Sequence, residues 1–126
     1  MKKPVGSILC LILLLSLPAC QRYGSRSIPE ELHGVWVTEA ENYERCSLEI
    51  TGEKLIFENG VTFIDINYIK GVEKTVERGT PLYTIHYQNS AGEHYKVSVY
   101  YMKDGKGGML CLKNQRRVTW TRRADA

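Results

Sequence analysis

The chain has 126 residues, with 17 basic and 14 acidic side chains and a formal net charge of +3, a length that holds one small domain with a thin core. Lys2 and Lys3 stand ahead of an apolar run, and without them the balance is 15 basic to 14 acidic residues, too even for the electrostatic footprint of a nucleic-acid binder. The apolar run covers the thirteen residues from Val5 to Leu17, broken by Gly6, Ser7 and Ser16, and is too short to cross a bilayer comfortably.

In chain order, a basic start followed by such a run reads as the beginning of a secretion signal. Leu17-Pro18-Ala19-Cys20 comes next and resembles the lipobox of bacterial lipoproteins. That resemblance implies removal of residues 1–19, a diacylglycerol on the Cys20 thiol and an acylated new amino terminus. Several acyl chains on one residue would give stable attachment, because a single chain holds only marginally. Gln21 follows the cysteine where an inner-membrane retention mark in enterobacterial lipoproteins would be Asp. The expected location is therefore the outer membrane, facing the periplasm, with the membrane itself as first partner.

Residues 20–32 read as the lipidated terminus, a polar tether and a short turn at Pro29-Glu30-Glu31-Leu32. Residues 33–123 read as one β domain. Eight strands are expected, at about 33–38, 44–51, 53–58, 61–71, 74–78 merging with 82–89, 93–102, 108–113 and 117–122. A two-residue turn at Asn59-Gly60 would pair Glu58 with Val61 and Leu55 with Ile64, and one at Thr51-Gly52 would pair Leu48 with Leu55 and Cys46 with Phe57. A three-residue loop at Ser90-Ala91-Gly92 pairs Tyr87 with Tyr95, Ile85 with Val97 and Tyr83 with Val99, gathering the apolar side chains on one face. An open meander leaves two unpaired edges, so closure into a small up-and-down barrel is expected, with another small β-barrel or a β-sandwich as the alternatives.

His33-Gly34-Val35-Trp36 opens the first strand after the short turn. It resembles the Gly-x-Trp start of the calycins, the lipocalins and fatty-acid-binding proteins. The resemblance implies that Trp36 closes the barrel floor and that an arginine near the last strand, Arg122 or Arg123, packs across it.

Cys46 and Cys111 would meet an oxidising periplasm, where paired thiols are the rule in small domains, so a disulfide is expected. It would close a loop of 65 residues (111 − 46) and contribute about 4 kcal/mol in the chain-entropy model. An up-and-down barrel conflicts with this, since the first and eighth strands separate the second from the seventh. A metal site at either thiol lacks ligands at usable spacing.

No catalytic or cofactor signature stands out, and no enzyme, cofactor or metal is expected. His86 and His94 would share a solvated outer face, and Glu39, Glu41 and Glu44 a loop. The glycines of 103–108 lack the spacing of a phosphate loop. Trp36, Phe57, Tyr83, Tyr87 and Tyr95 fall on the apolar face and are the candidate ligand-lining residues. The expected function is binding of an apolar or amphipathic small ligand inside the barrel. The alternative is a non-enzymatic interaction protein with a filled core, such as a hydrolase inhibitor or an accessory lipoprotein with an envelope protein partner.

Overall fold

Short runs of alternating polarity, separated by glycine- and asparagine-bearing turns, each half-cover a core and need neighbours on both sides. In the computed structural model, which describes residues 27–60, 63–103 and 107–123, they find them in a ring. A 3₁₀ turn at Glu30–Leu32 leads into β1 (Gly34–Val37), β2 (Ser47–Ile50), β3 (Lys54–Glu58), β4 (Ile64–Glu77), β5 (Thr80–Gln88), β6 (His94–Met102), β7 (Met109–Leu112) and β8 (Trp120–Arg122). Consecutive strands pair antiparallel, and β1 meets β8 through Trp36 opposite Arg122 and Val37 opposite Thr121. The result is the closed eight-stranded, calycin-like meander expected.

Connections alternate between two ends. The 3₁₀ turn and the β2–β3, β4–β5 and β6–β7 connections lie at one end, the floor. The other four loops surround the opposite end, the mouth. Trp36, Leu48, Ile50, Leu55, Tyr83, Ile85, Val99, Leu110 and Trp120 are buried in one cluster that fills the interior, and Leu32 and Ile28 join it from the floor side. A smaller cluster of Leu82, Tyr100 and Cys111, with Met102 against it, lies on the outer wall.

The β5–β6 register is the one read from the sequence, with Tyr87 opposite Tyr95, Ile85 opposite Val97 and Tyr83 opposite Val99. In the β2–β3 hairpin Leu48 pairs with Phe57 and Ile50 with Leu55, because the tight turn falls at Gly52-Glu53, where Thr51 N–H donates to the Lys54 carbonyl at 3.0 Å. That is a shift of two residues, which leaves every side chain on its expected face.

The β3–β4 hairpin departs by an odd number. Glu58 pairs with Ile64 and Phe57 with Asp65, three residues from the expected Glu58–Val61 pairing. Asn59 closes a wider loop, accepting from Phe63 N–H through Oδ1 at 3.0 Å and donating its own N–H to the Phe63 carbonyl at 3.2 Å. An odd shift turns a strand over. Leu55 lies opposite Asn67 instead of Ile64, and Ile64 is 62% exposed.

The expected break near residue 72 is absent, and β4 runs through as one strand with an irregularity between Ile69 and Gly71. It ends at Arg78-Gly79, both at positive φ (53° and 82°), with Glu77 opposite Thr80, the geometry of a two-residue hairpin whose twist matches the strands. Arg78 has the wrong side chain for that backbone, which asparagine adopts more readily. Arg78→Asn is expected to raise stability by about 0.5–1 kcal/mol, visible in thermal unfolding as an upward shift of a few degrees. A lower melting temperature would mean that Arg78 contributes through its side chain.

Candidate binding surfaces

At the floor, three residues named by the sequence meet. Trp36 is fully buried, and its Nε1–H donates to the Leu32 carbonyl at 3.0 Å. The Arg122 guanidinium lies over its ring, 4.5 Å from the centroid. Arg122 also donates to the carbonyls of Glu31 at 2.6 Å and Gly107 at 2.7 Å. Gly34 is at φ 140°, and a Cβ there would sit 2.9 Å from Arg122 Nε. Glycine is thus required at this position by both conformation and contact.

Tyr83 is also deep in the core, 1% exposed, and its hydroxyl donates to the Glu31 carboxylate. Burial, then that acceptor, pushes its phenol far above the ordinary range. Trp36 and Tyr83 are therefore packing residues of the lower barrel.

Phe57, Tyr87 and Tyr95 lie at the mouth. Tyr87 stacks on Tyr95 with centroids 5.8 Å apart and tilts against Phe57 at 6.4 Å. A cleft of about 230 Å³ opens there, lined by Asp65, Asn67, Tyr87, Asn89 and Tyr95. Burial, and next the charge of Asp65, pushes the Tyr87 phenol up. Tyr43 tilts over Trp120 at 6.4 Å and accepts from Gln115 Nε2 at 3.2 Å.

Two surfaces were not found from the sequence, and both come from the overturned half of β4. Outward it carries Ile64, Ile66 and Tyr68, continued by Phe63; these are 62%, 41%, 45% and 54% exposed. Inward it carries Asp65 and Asn67, the latter 1% exposed. Strict alternation from Ile64 to Tyr68 was the available signal. Its phase is what the sequence left ambiguous.

Cys46 and Cys111 are free thiols, which corrects the disulfide. The barrel wall explains it. Cys46 packs against the inner cluster, two residues before the inward Leu48, whereas Cys111 belongs to the outer one and lies next to the inward Leu110. β1 and β8 stand between their strands. Burial raises the Cys111 thiol pKa, with nearby Arg116 acting the other way. Unfolding in iodoacetamide without reductant should alkylate the tryptic peptides of both cysteines, and a peptide pair joined through Cys46 and Cys111 would contradict this placement.

His86 Nε2 pairs with Glu73 Oε1 at 2.5 Å on the outer wall, and His94 is exposed. The Lys113 ammonium meets Glu77 Oε2 at 3.0 Å. Glu77 also accepts from the Tyr100 hydroxyl at 2.6 Å, and this contact, followed by Lys113, holds its carboxyl below the usual range. Cys20 lies outside the described residues. Among the described residues no helix is long and apolar enough to cross a membrane.

The fold and these surfaces define a small closed calycin-like barrel with a packed interior, an apolar outer stripe and an aromatic mouth. No family model, curated protein or solved structure matches the chain.

Proposed function

We propose that this chain is a lipid-anchored protein of the bacterial envelope that works as a non-enzymatic interaction module, docking another protein on the outer face of β3 and β4. The observation that carries the reading is the exposed stripe of Phe63, Ile64, Ile66 and Tyr68 on a barrel whose interior is filled by its own side chains. Contiguous exposed apolar patches on small proteins mark contact sites. A filled interior supports this reading over capture of an apolar ligand inside.

Closure removes free sheet edges, so a partner meets the stripe by side-chain packing and not by adding a strand. Glu58 is opposite Ile64 and Lys54 opposite Tyr68, which gives the stripe a rim of both signs. A lipid-facing surface favours a basic collar, so the mixed rim supports a protein partner.

The lipobox and the floor support an orientation. Ile28 is buried, and its carbonyl accepts from His33 Nε2 at 3.0 Å, so the chain enters the barrel at the floor. Cys20 is eight residues earlier (28 − 20), a reach of at most about 29 Å. The floor then faces the membrane, and the mouth, from which the stripe begins, faces away from it. The Gly34–Trp36–Arg122 floor supports grouping the barrel with the calycins.

A photo-crosslinking residue at Ile66 should give a discrete protein adduct in the envelope of the native host, one at the exposed Lys96 should not, and Ile64→Lys should remove the adduct while leaving the melting temperature within a few degrees. Adducts to lipid alone, or the same adducts from both positions, would defeat the proposal.

A further inference from the structure

The overturned strand has an inner consequence that is independent of the docking stripe. It sets a carboxylate and a carboxamide beside the stacked rings of Tyr87 and Tyr95, in a barrel whose other inward positions are mainly apolar. We infer that the mouth is a binding site for an organic cation, an ammonium or guanidinium head held between the Asp65 carboxylate and the faces of Tyr87 and Tyr95.

The chemistry of the site is one-sided. Asn67 Nδ2 is surrounded by three acceptors, the Leu55 carbonyl at 3.2 Å, the Asp65 carbonyl at 3.4 Å and Asp65 Oδ2 at 3.2 Å. That fixes the amide orientation and commits its donors. Asn67 Oδ1 makes no hydrogen bond among the described residues, and Asp65 makes no ion pair among them. Asn89 is occupied as well: its Oδ1 accepts from the N–H groups of Ala91 and Glu93, and its Nδ2 donates to Glu93 Oε1 at 2.8 Å. Glu93 therefore adds a second negative charge at the rim. The cleft has acceptors and negative charge, no lysine or arginine in its lining, and two stacked phenol rings.

Such a ring attracts a cation over its face, by about 0.5–1 kcal/mol where exposed and about 2 kcal/mol or more where water is excluded. A partly buried carboxylate adds an attraction of the same sign, and a charge-assisted hydrogen bond where the cation carries an N–H. At about 230 Å³ the cleft is smaller than the roughly 300 Å³ at which pockets for whole drug-sized ligands begin. It fits a head group, either of a small free amine or of a lysine or arginine side chain on another protein. The arms below separate these sources.

The probes are choline, its uncharged carbon isostere 3,3-dimethylbutan-1-ol, a neutral methyl glycoside, and end-blocked Gly-Lys-Gly and Gly-Arg-Gly, each titrated into the isotopically labelled full chain and followed by aromatic NMR. Choline or a blocked peptide should shift the ring signals of Tyr87 and Tyr95, with at least tenfold weaker response to the two neutral probes. Asp65→Asn, which keeps the side-chain shape, should weaken cation binding about tenfold or more. Tyr95→Leu, at a residue 48% exposed, should weaken it while the barrel signals persist, which covers the case in which Asp65→Asn disturbs the fold. Tighter binding of a peptide than of choline assigns the cation to a partner's side chain, and the reverse order assigns it to a free amine. Equal response to choline and a neutral probe, unchanged affinity in Asp65→Asn with intact barrel signals, or no shift at Tyr87 and Tyr95 with any cation would overturn the inference.

Discussion

Trp36→Ala is expected to remove about 4 kcal/mol of stability, a large part of the roughly 5–15 kcal/mol available to a domain of this size. Trp36 is fully buried at the end of the barrel where the wall is shortest: β1 has four residues and β8 three. Truncation opens a cavity lined by Leu48, Ile50 and Leu32 of the same cluster. It also removes the hydrogen bond to the Leu32 carbonyl and the face under Arg122. Trp36→Phe separates these contributions, because it keeps a ring beneath the guanidinium and loses only part of the volume and the indole donor; a cost of about 1–2 kcal/mol is expected. Urea unfolding followed by far-ultraviolet circular dichroism measures both. A loss below about 1.5 kcal/mol for the alanine variant would mean that the barrel floor is closed by something other than this indole.

How much of this molecule could be read in advance depends on where phase was pinned. Between β5 and β6 Gly92 fixes the loop and the alternation of Tyr83, Ile85 and Tyr87 fixes the face, so register and strand content followed from the residues. In the β2–β3 hairpin the turn was misplaced within Thr51-Gly52-Glu53, but an even displacement costs nothing in facing. β4 is different. Val72 faces the core, and by simple alternation Ile64, Ile66 and Tyr68 would face it too. The extra residue accommodated between Ile69 and Gly71 reverses that phase for everything before it. A bulge is a tertiary decision taken where two neighbours compete for one long strand, and Gly71 alone does not announce it.

The site followed the same rule. Trp36 and an arginine across it follow from the resemblance of Gly34-x-Trp36 to the calycin start, which leaves Arg122 and Arg123 as alternatives, and Arg122 is the one over the ring. Tyr87, Tyr95 and Phe57 were gathered correctly at one face, but their height in the barrel was not legible, and height separates the packed Tyr83 from the rings at the mouth. The cysteines failed for a geometric reason. Redox compartment argues for pairing, yet a sheet one residue thick has two sides, and Cys46 and Cys111 fall on opposite ones. Local rules give way on β4 above all, which is in keeping with the docking role proposed for its outer face.

Arg122→Lys is expected to cost about 2–3 kcal/mol, nearly as much as Arg122→Ala, although it keeps the charge. The guanidinium performs three tasks at once: it covers the Trp36 ring, and its two terminal nitrogens reach carbonyls on separate elements, Glu31 before β1 and Gly107 before β7. An ammonium is a single point and can satisfy one of these carbonyls while leaving the other unbonded. The short β1–β8 contact has two cross-strand pairs, so Arg122 serves as the tie that holds the floor turn and the β6–β7 loop onto the closing strands. A double-mutant cycle of Arg122→Ala with Trp36→Leu, which removes the ring that Trp36→Phe keeps, should return a coupling energy of about 1 kcal/mol between the two positions. Additive losses, or a lysine variant as stable as the parent, would show that the ring closes without this tie and that Gly34 is conserving space for no partner.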